Sequence, residues 1–362
     1  MIFLLLFLAQ TGLALESKLV FEKAVEGKVI MGSVPDGNLI LSTHERFQVL
    51  TSEGKQSYQA NLKPNQGLVT SPDGNCFGIT TYSKGASPGF LAAENFALYS
   101  ANGDKLGEIK NPEVSDFYVS NPANLIVGIS SGEGGAKSRL VFYDRAGNPI
   151  KSLEVGFLEG VSFSSNGKSV FVNSGKDGLS AFDDSGALKA NFGLCEKFTT
   201  SQDGEYVAII SGGSLQIYHQ GKPVGNPLNV NPLIREMCFS PDNKYISVID
   251  KKNLFLFEVQ TGNLLWQYLL DKPDLSFISV DISPNAEKII AGIDYDKGRK
   301  VALEDRHTNG FIYLFDKDGK ITWKKELFYK LWGAVFPKVQ FSADGANFSV
   351  ITREKIYLFK GN

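Results

Sequence analysis

The side chains best equipped for chemistry in this sequence are few and scattered. Its three histidines, His44, His219 and His307, stand far apart. None has a second imidazole three or four residues away, the spacing that lets two ligands share a zinc ion. Cys76, Cys195 and Cys238 form no CxxC pair, so neither a zinc site nor a disulfide framework is indicated, and buried free thiols are expected. A Gly-x-Ser-x-Gly elbow, which would expose a nucleophilic serine on a sharp turn, is absent from the sequence. The densest carboxylate run, Asp294-Tyr295-Asp296-Lys297-Gly298 followed by Glu304 and Asp305, offers oxygen ligands of the kind calcium takes. It lacks the bidentate glutamate at calcium-loop spacing and reads as a solvated loop. No catalytic, cofactor-binding or metal-ligating residue is assigned.

Composition narrows the partners. The chain has 362 residues, 43% of them hydrophobic, with 37 Lys plus Arg against 39 Asp plus Glu and no long run of either sign. A core of ordinary size is available, and the basic patch that counterion-release binding to nucleic acid requires is not visible. The opening stretch MIFLLLFLAQTGLALES has a short apolar core and small residues at Gly12 and Ala14, as a signal peptide does, although it lacks a basic n-region. We expect residues 1–14 to be cleaved after Ala14 and 15–362 to form one domain that is secreted or periplasmic. The run is too short to span a bilayer. The competing reading is a buried first strand.

The elements that would position any site are set by a repeat. The turn signature recurs as VPDGN from Val34, SPDGN from Ser71, SNPAN from Ser120, SSNGK from Ser164, SQDGE from Ser201, SPDNK from Ser240, SPNAE from Ser283 and SADGA from Ser342. Proline fixes φ for the first inner turn position, and Gly or Asn accepts positive φ at a later one, so each copy predicts a tight turn between two strands. Successive copies start between 37 and 59 residues apart, which brackets a four-stranded propeller blade. Each is followed by an alternating aromatic strand and a second glycine turn, as in NFALYSANG and NLFLFEVQTG. We predict an all-β, eight-bladed propeller, with seven blades as the alternative if SNPAN is not a blade start. The last unit ends after its third strand, and the unassigned strand from Lys18 to Val25 is expected to complete it and close the ring.

This pattern resembles the WD40-like and quinoprotein-like (PQQ-repeat-type) β-propellers. The eight turns carry the resemblance, together with TGNLLWQ from Thr261 and DGKITWK from Asp318. Their Gly-x-x-x-Trp spacing is similar to the motif by which quinoprotein-type blades dock a tryptophan on the next blade. Trp266 and Trp323 match it, and Tyr58 stands at the corresponding place in the first unit. Gly107, Lys151, Ala190 and Gly225 stand there in the others. Quinoprotein dehydrogenases of this fold would also imply a vicinal cysteine pair and a quinone, and no adjacent cysteines exist here.

Loop length then points to a face. Long insertions follow the second strand in units two (Tyr82 to Glu94), three (Ser130 to Ser138) and seven (Asp294 to Asn309), and Phe328 to Phe336 leads into unit eight. In an antiparallel meander all four emerge on one side, and long loops on a rigid scaffold are where binding concentrates. Phe90, Leu91, Tyr295, Tyr329 and Trp332 are the candidate apolar anchors there, with Arg299, Arg306 and His307 as polar contacts. The expected function is an exported, non-catalytic module that binds a protein or surface polymer through this face. The alternatives are a lyase, lactonase or glycan-acting hydrolase, or a small-molecule sensor, working at the central channel mouth.

Overall fold

The computed structural model describes residues 18–24, 29–30, 38–42, 45–51, 53–83, 93–130, 137–230, 233–295, 309–328, 336–342, 344–352 and 355–360. These residues form eight four-stranded antiparallel sheets, arranged as the blades of a ring. Strands a to d of each blade run from the channel outward in chain order, as in blade 6: Glu236–Phe239, Tyr245–Ile249, Asn253–Glu258 and Leu264–Leu269. The eighth blade follows the expected closure. Its strands a to c, Lys338–Phe341, Asn347–Ile351 and Lys355–Lys360, take Lys18–Ala24 as strand d. Lys18 pairs with Lys360 and Ala24 with Lys355. SNPAN is a true a–b turn, flanked by paired strands and holding a cis Asn121-Pro122 bond. The sole helical turn among the described residues is Gly175–Asp177, between strands b and c of blade 4.

The repeated turns are held by a side-chain pair. At Ser71, Ser164, Ser201, Ser240 and Ser283 the hydroxyl donates to Oδ1 of the Asp or Asn two residues on, at 2.5–2.8 Å. It accepts in turn the N–H five residues on, at 2.9–3.0 Å. That short bridge satisfies backbone groups the reversal would otherwise orphan, which is why the serine is buried in each copy although turns usually face water. Neighbouring turns also touch: Asp73 N–H donates to Asn121 Oδ1 at 3.0 Å, and Asn243 Nδ2 to Asp203 Oδ2 at 2.7 Å.

Apolar burial is divided among the junctions, with a separate cluster between each pair of successive blades. One position of strand d reaches across. It is the residue just before a register shift: Tyr58 opposite Val49, Gly107 opposite Leu98, Lys151 opposite Phe142, Ala190 opposite Ala181, Trp266 opposite Leu256 and Trp323 opposite Leu314. Facing Tyr58, Trp266 and Ala190 is a c–d turn glycine of the next blade. A Cβ on Gly103 would fall 2.2 Å from the Tyr58 ring, one on Gly319 2.8 Å from Trp266, and one on Gly221 3.0 Å from Ala190. Trp266 stacks on Phe315 with centroids 6.0 Å apart, and its Nε1–H donates to Lys317 O at 2.8 Å. Trp323 packs edge-on against Phe348 and Phe359 of blade 8.

Candidate functional site

Two places satisfy the conditions for a site: the mouth of the central channel and the face of the b–c and d–a connections. The mouth is a cavity of about 330 Å³ at the a–b turns, bordered by Asp73, Thr199, Gln202, Cys238, Asp281 and Gln340 among others. Strand a supplies its wall because alternate residues of an inner strand face the channel while the others enter the core. Thus Met237 and Phe239 are buried, and Glu236 and Cys238 turn inward.

The ionisable groups of this wall are occupied in holding blades together. Asp281 of blade 7 accepts the Cys238 thiol of blade 6 on Oδ1 at 3.1 Å and the Phe341 N–H of blade 8 on Oδ2 at 2.7 Å, with the Ile282 N–H also on Oδ1 at 2.9 Å. Enclosure by the ring pushes its pKa from 3.8 up to about 6, against those three hydrogen bonds. The same enclosure, reinforced by the Asp281 charge, drives the Cys238 thiol well above its usual range, so it is a poor nucleophile. Glu236 is also raised by burial, opposed first by the Val280 N–H that it accepts at 2.9 Å and then by Lys338. Lys197 of blade 5 donates to the carbonyls of Ile234 and Arg235 in blade 6. Arg235 Nη1 donates to Phe277 O of blade 7 at 2.8 Å. The wall is a chain of cross-blade ties. All three cysteines are free thiols, with Cys195 pushed up to about 12 by burial. Among the described residues no group of three potential metal ligands exists. Of the sequence's carboxylate run, Asp294 is buried, while Asp296, Glu304 and Asp305 lie outside the described residues.

The antiparallel meander puts the roots of all four long connections on one face, as expected. Of the eight candidate contacts, Phe90, Leu91, Arg299, Arg306, His307, Tyr329 and Trp332 lie outside the described residues. Tyr295 is described, and its half-buried ring packs edge-on against Phe311 at 6.4 Å. It caps the strands of blade 7. Sequence reasoning passed over a different set on this face. Phe157, Leu194, Leu233 and Phe336 lie on d–a connections, and Phe328 ends a strand d, at 57%, 64%, 74%, 43% and 70% exposure. The other exposed large apolar residues sit on outermost strands, and none lies on an a–b or c–d turn of the described residues. The signal was present in the sequence as an apolar residue inside a short polar or glycine-flanked connector: VGFLEG, FGLCEK and NPLIRE.

No family model matches the chain, and no curated protein matches its sequence. Solved structures do. The chain is similar to the C-terminal WD40 domain of Sif2 with a TM-score of 0.60 at 11% identity, covering 95% of this chain and 98% of that one. It is similar to Kluyveromyces lactis Hsv2 with a TM-score of 0.52 at 12% identity, and to Kluyveromyces marxianus Hsv2 with 0.51 at 11%, each covering 79% of this chain and 88% of the other. At these identities the likeness is one of fold, and the fold is an eight-bladed β-propeller.

Proposed function

We propose that this chain is a protein-binding propeller that engages its partner through the b–c and d–a face, with the ring as a rigid support. The observation that carries the reading is the placement of exposed apolar side chains. Phe157, Leu194 and Leu233 occupy three successive d–a connections, from blade 3 to blade 6, on a face whose opposite side has no exposed large apolar residue on its turns among the described residues. Aromatic and aliphatic anchors that are exposed in the free protein and grouped on one side are the signature of an interface. The channel supports this reading by contrast, since its carboxylates serve as ties between strands. Export fits the apolar N-terminal stretch of the sequence. A surface polymer is the second candidate partner, because long loops suit it equally.

The test is the triple variant Phe157→Ser, Leu194→Ser, Leu233→Ser in the full chain, compared with Leu264→Ser, Leu265→Ser on the outer edge of blade 6. Partners are captured by cross-linking in the native compartment. Loss of the triple variant's partner by about ten-fold or more in affinity is expected, with the outer-edge variant unaffected. Undiminished capture by a folded triple variant would remove this face from the proposal.

A further inference from the structure

Blade 4 departs from blades 6 and 7 at two facing positions. Where those blades oppose Leu256 to Trp266 and Leu314 to Trp323, blade 4 has Ala181 opposite Ala190. The surrounding aromatic arrangement is kept. Two residues beyond the docking position, Phe192 meets Tyr218 of blade 5 edge-on at 5.2 Å and 74°. Tyr268 meets Phe315 of blade 7 in the same way, at 5.0 Å and 65°. The turn glycine is also kept, Gly221 at φ +79° corresponding to Gly319 at φ +81°. The indole and the leucine opposite it are what is missing. A cleft of about 250 Å³ opens beside Ala190, bordered by Phe171, Ala181, Phe192, Val207 and Gln220. It is continuous with the interface between blades 4 and 5, whose buried cluster includes Phe171, Ala181 and Val207.

We propose that this cleft is a socket for an aromatic side chain of a partner polypeptide, tryptophan above all, which enters in trans the space that Trp266 fills in cis between blades 6 and 7. The chain itself shows what such a space selects. At the filled junction the indole stacks on an aromatic ring and gives its N–H to an acceptor. At the open one, Phe171 and Phe192, both bordering the cleft, supply the rings, Phe192 being held edge-on by Tyr218 behind it. Glu205 and Gln220, both bordering the cleft, supply acceptor oxygens. An aliphatic side chain would fill the volume but gain neither the ring contact nor the hydrogen bond, so selectivity for aromatics follows from the lining. The cleft lies beside the a–b and c–d turns of blade 5, away from the connector face, and stands or falls separately from it.

The experiment uses the full chain with methyl-labelled alanine and valine, titrated with N-acetyl-tryptophanamide and N-acetyl-leucinamide. Saturable ring-current shifts at Ala181, Ala190 and Val207 are expected with the tryptophan amide at low-millimolar affinity, and binding of the leucine amide about ten-fold weaker. Ala190→Trp fills the socket from within and is expected to abolish the shifts at Ala181 and Val207. Should that variant not fold, the wild-type titration decides alone. The Phe157, Leu194, Leu233 triple variant is expected to titrate like the wild type. Absence of saturable shifts with the tryptophan amide, equal affinity for both amides, or full binding by folded Ala190→Trp would each overturn the proposal.

Discussion

The junction between blades 6 and 7 and the junction between blades 4 and 5 are built to the same plan and finished differently. The first buries thirteen residues in its cluster, and Trp266 seals its outer side. The second buries six, and Ala190 leaves an opening where the indole would be. A groove of about 460 Å³ also runs between blades 2 and 3, bordered by Ile109, Glu113, Arg139 and Tyr143, but at their docking position, Gly107, the backbone of blade 3 closes in directly and leaves no such opening. Inner-strand ties follow the same imbalance, since Asp281 joins blades 6, 7 and 8 at one point. The difference teaches that ring closure tolerates loosely filled junctions provided others are tightly filled. A repeat protein can therefore leave selected junctions open as places to bind.

The largest effect comes from making the tight junction resemble the open one. Trp266→Ala removes ring packing and a hydrogen bond together and is expected to cost roughly 2–4 kcal/mol in denaturant unfolding. A cost no greater than that of an outer-edge substitution such as Leu265→Ala would erase the contrast between the junctions.

The next effect is a pH dependence confined to the tied arc. Asp281 has its pKa raised from 3.8 to about 6 in the folded ring, so the folded state holds the proton that the unfolded chain releases first. The stabilisation this group gives is full below about pH 4 and is lost as pH rises through about 6, a change on the order of 2 kcal/mol. Stability measured from pH 4 to pH 7 should decline more in the wild type than in Asp281→Asn, and parallel curves would show that the carboxyl is not the tie described.

The smallest effect separates steric docking from backbone strain. Gly319 and Gly193 both have positive φ, +81° and +77°, but a Cβ on Gly319 would meet Trp266 whereas one on Gly193 meets nothing within 4 Å. Each change to alanine is expected to cost about 1 kcal/mol for the left-handed backbone. Gly319→Ala should cost more, and that excess should vanish in a Trp266→Ala background. Equal costs in the wild type would mean the indole yields freely.

The fold was legible because a tight turn is specified locally: Pro, Asp and Gly at fixed offsets leave the chain few alternatives, and eight copies fix the ring. The serine that heads the turns at Ser71, Ser164, Ser201, Ser240 and Ser283 recurs in the sequence, but its part in bonding the turn was visible only in the structure. The docking position was legible at Trp266 and Trp323, and spacing already put Ala190 at the corresponding place, while the cleft beside it needed the structure, because an alanine in a sequence does not tell whether its neighbours close over it. The channel ties were out of reach, because Cys238 and Phe341 meet Asp281 across 43 and 60 residues of sequence. No periodicity announces such a meeting. Loop length pointed to a face through the insertions of units two, three and seven, while among the described residues the exposed apolar side chains on that face stand on the short connectors from blade 3 to blade 6 and, as Phe328 and Phe336, at the connection into blade 8.

The strand Lys18–Ala24 that completes blade 8 has a consequence for the order of events during synthesis. Its partner strand, Lys355–Lys360, is made after every other strand of the ring, and the Lys355–Glu22 pair joins residues 333 positions apart. At ribosomal speeds of about 5–20 residues per second, the first strand waits roughly 15–70 s for a mate. Blades 1 to 7 would assemble as an open arc in that interval. Until Lys355–Lys360 appears, both ends of the arc expose sheet surfaces to neighbouring nascent chains, so the hazard of mispairing lasts until the two strands meet.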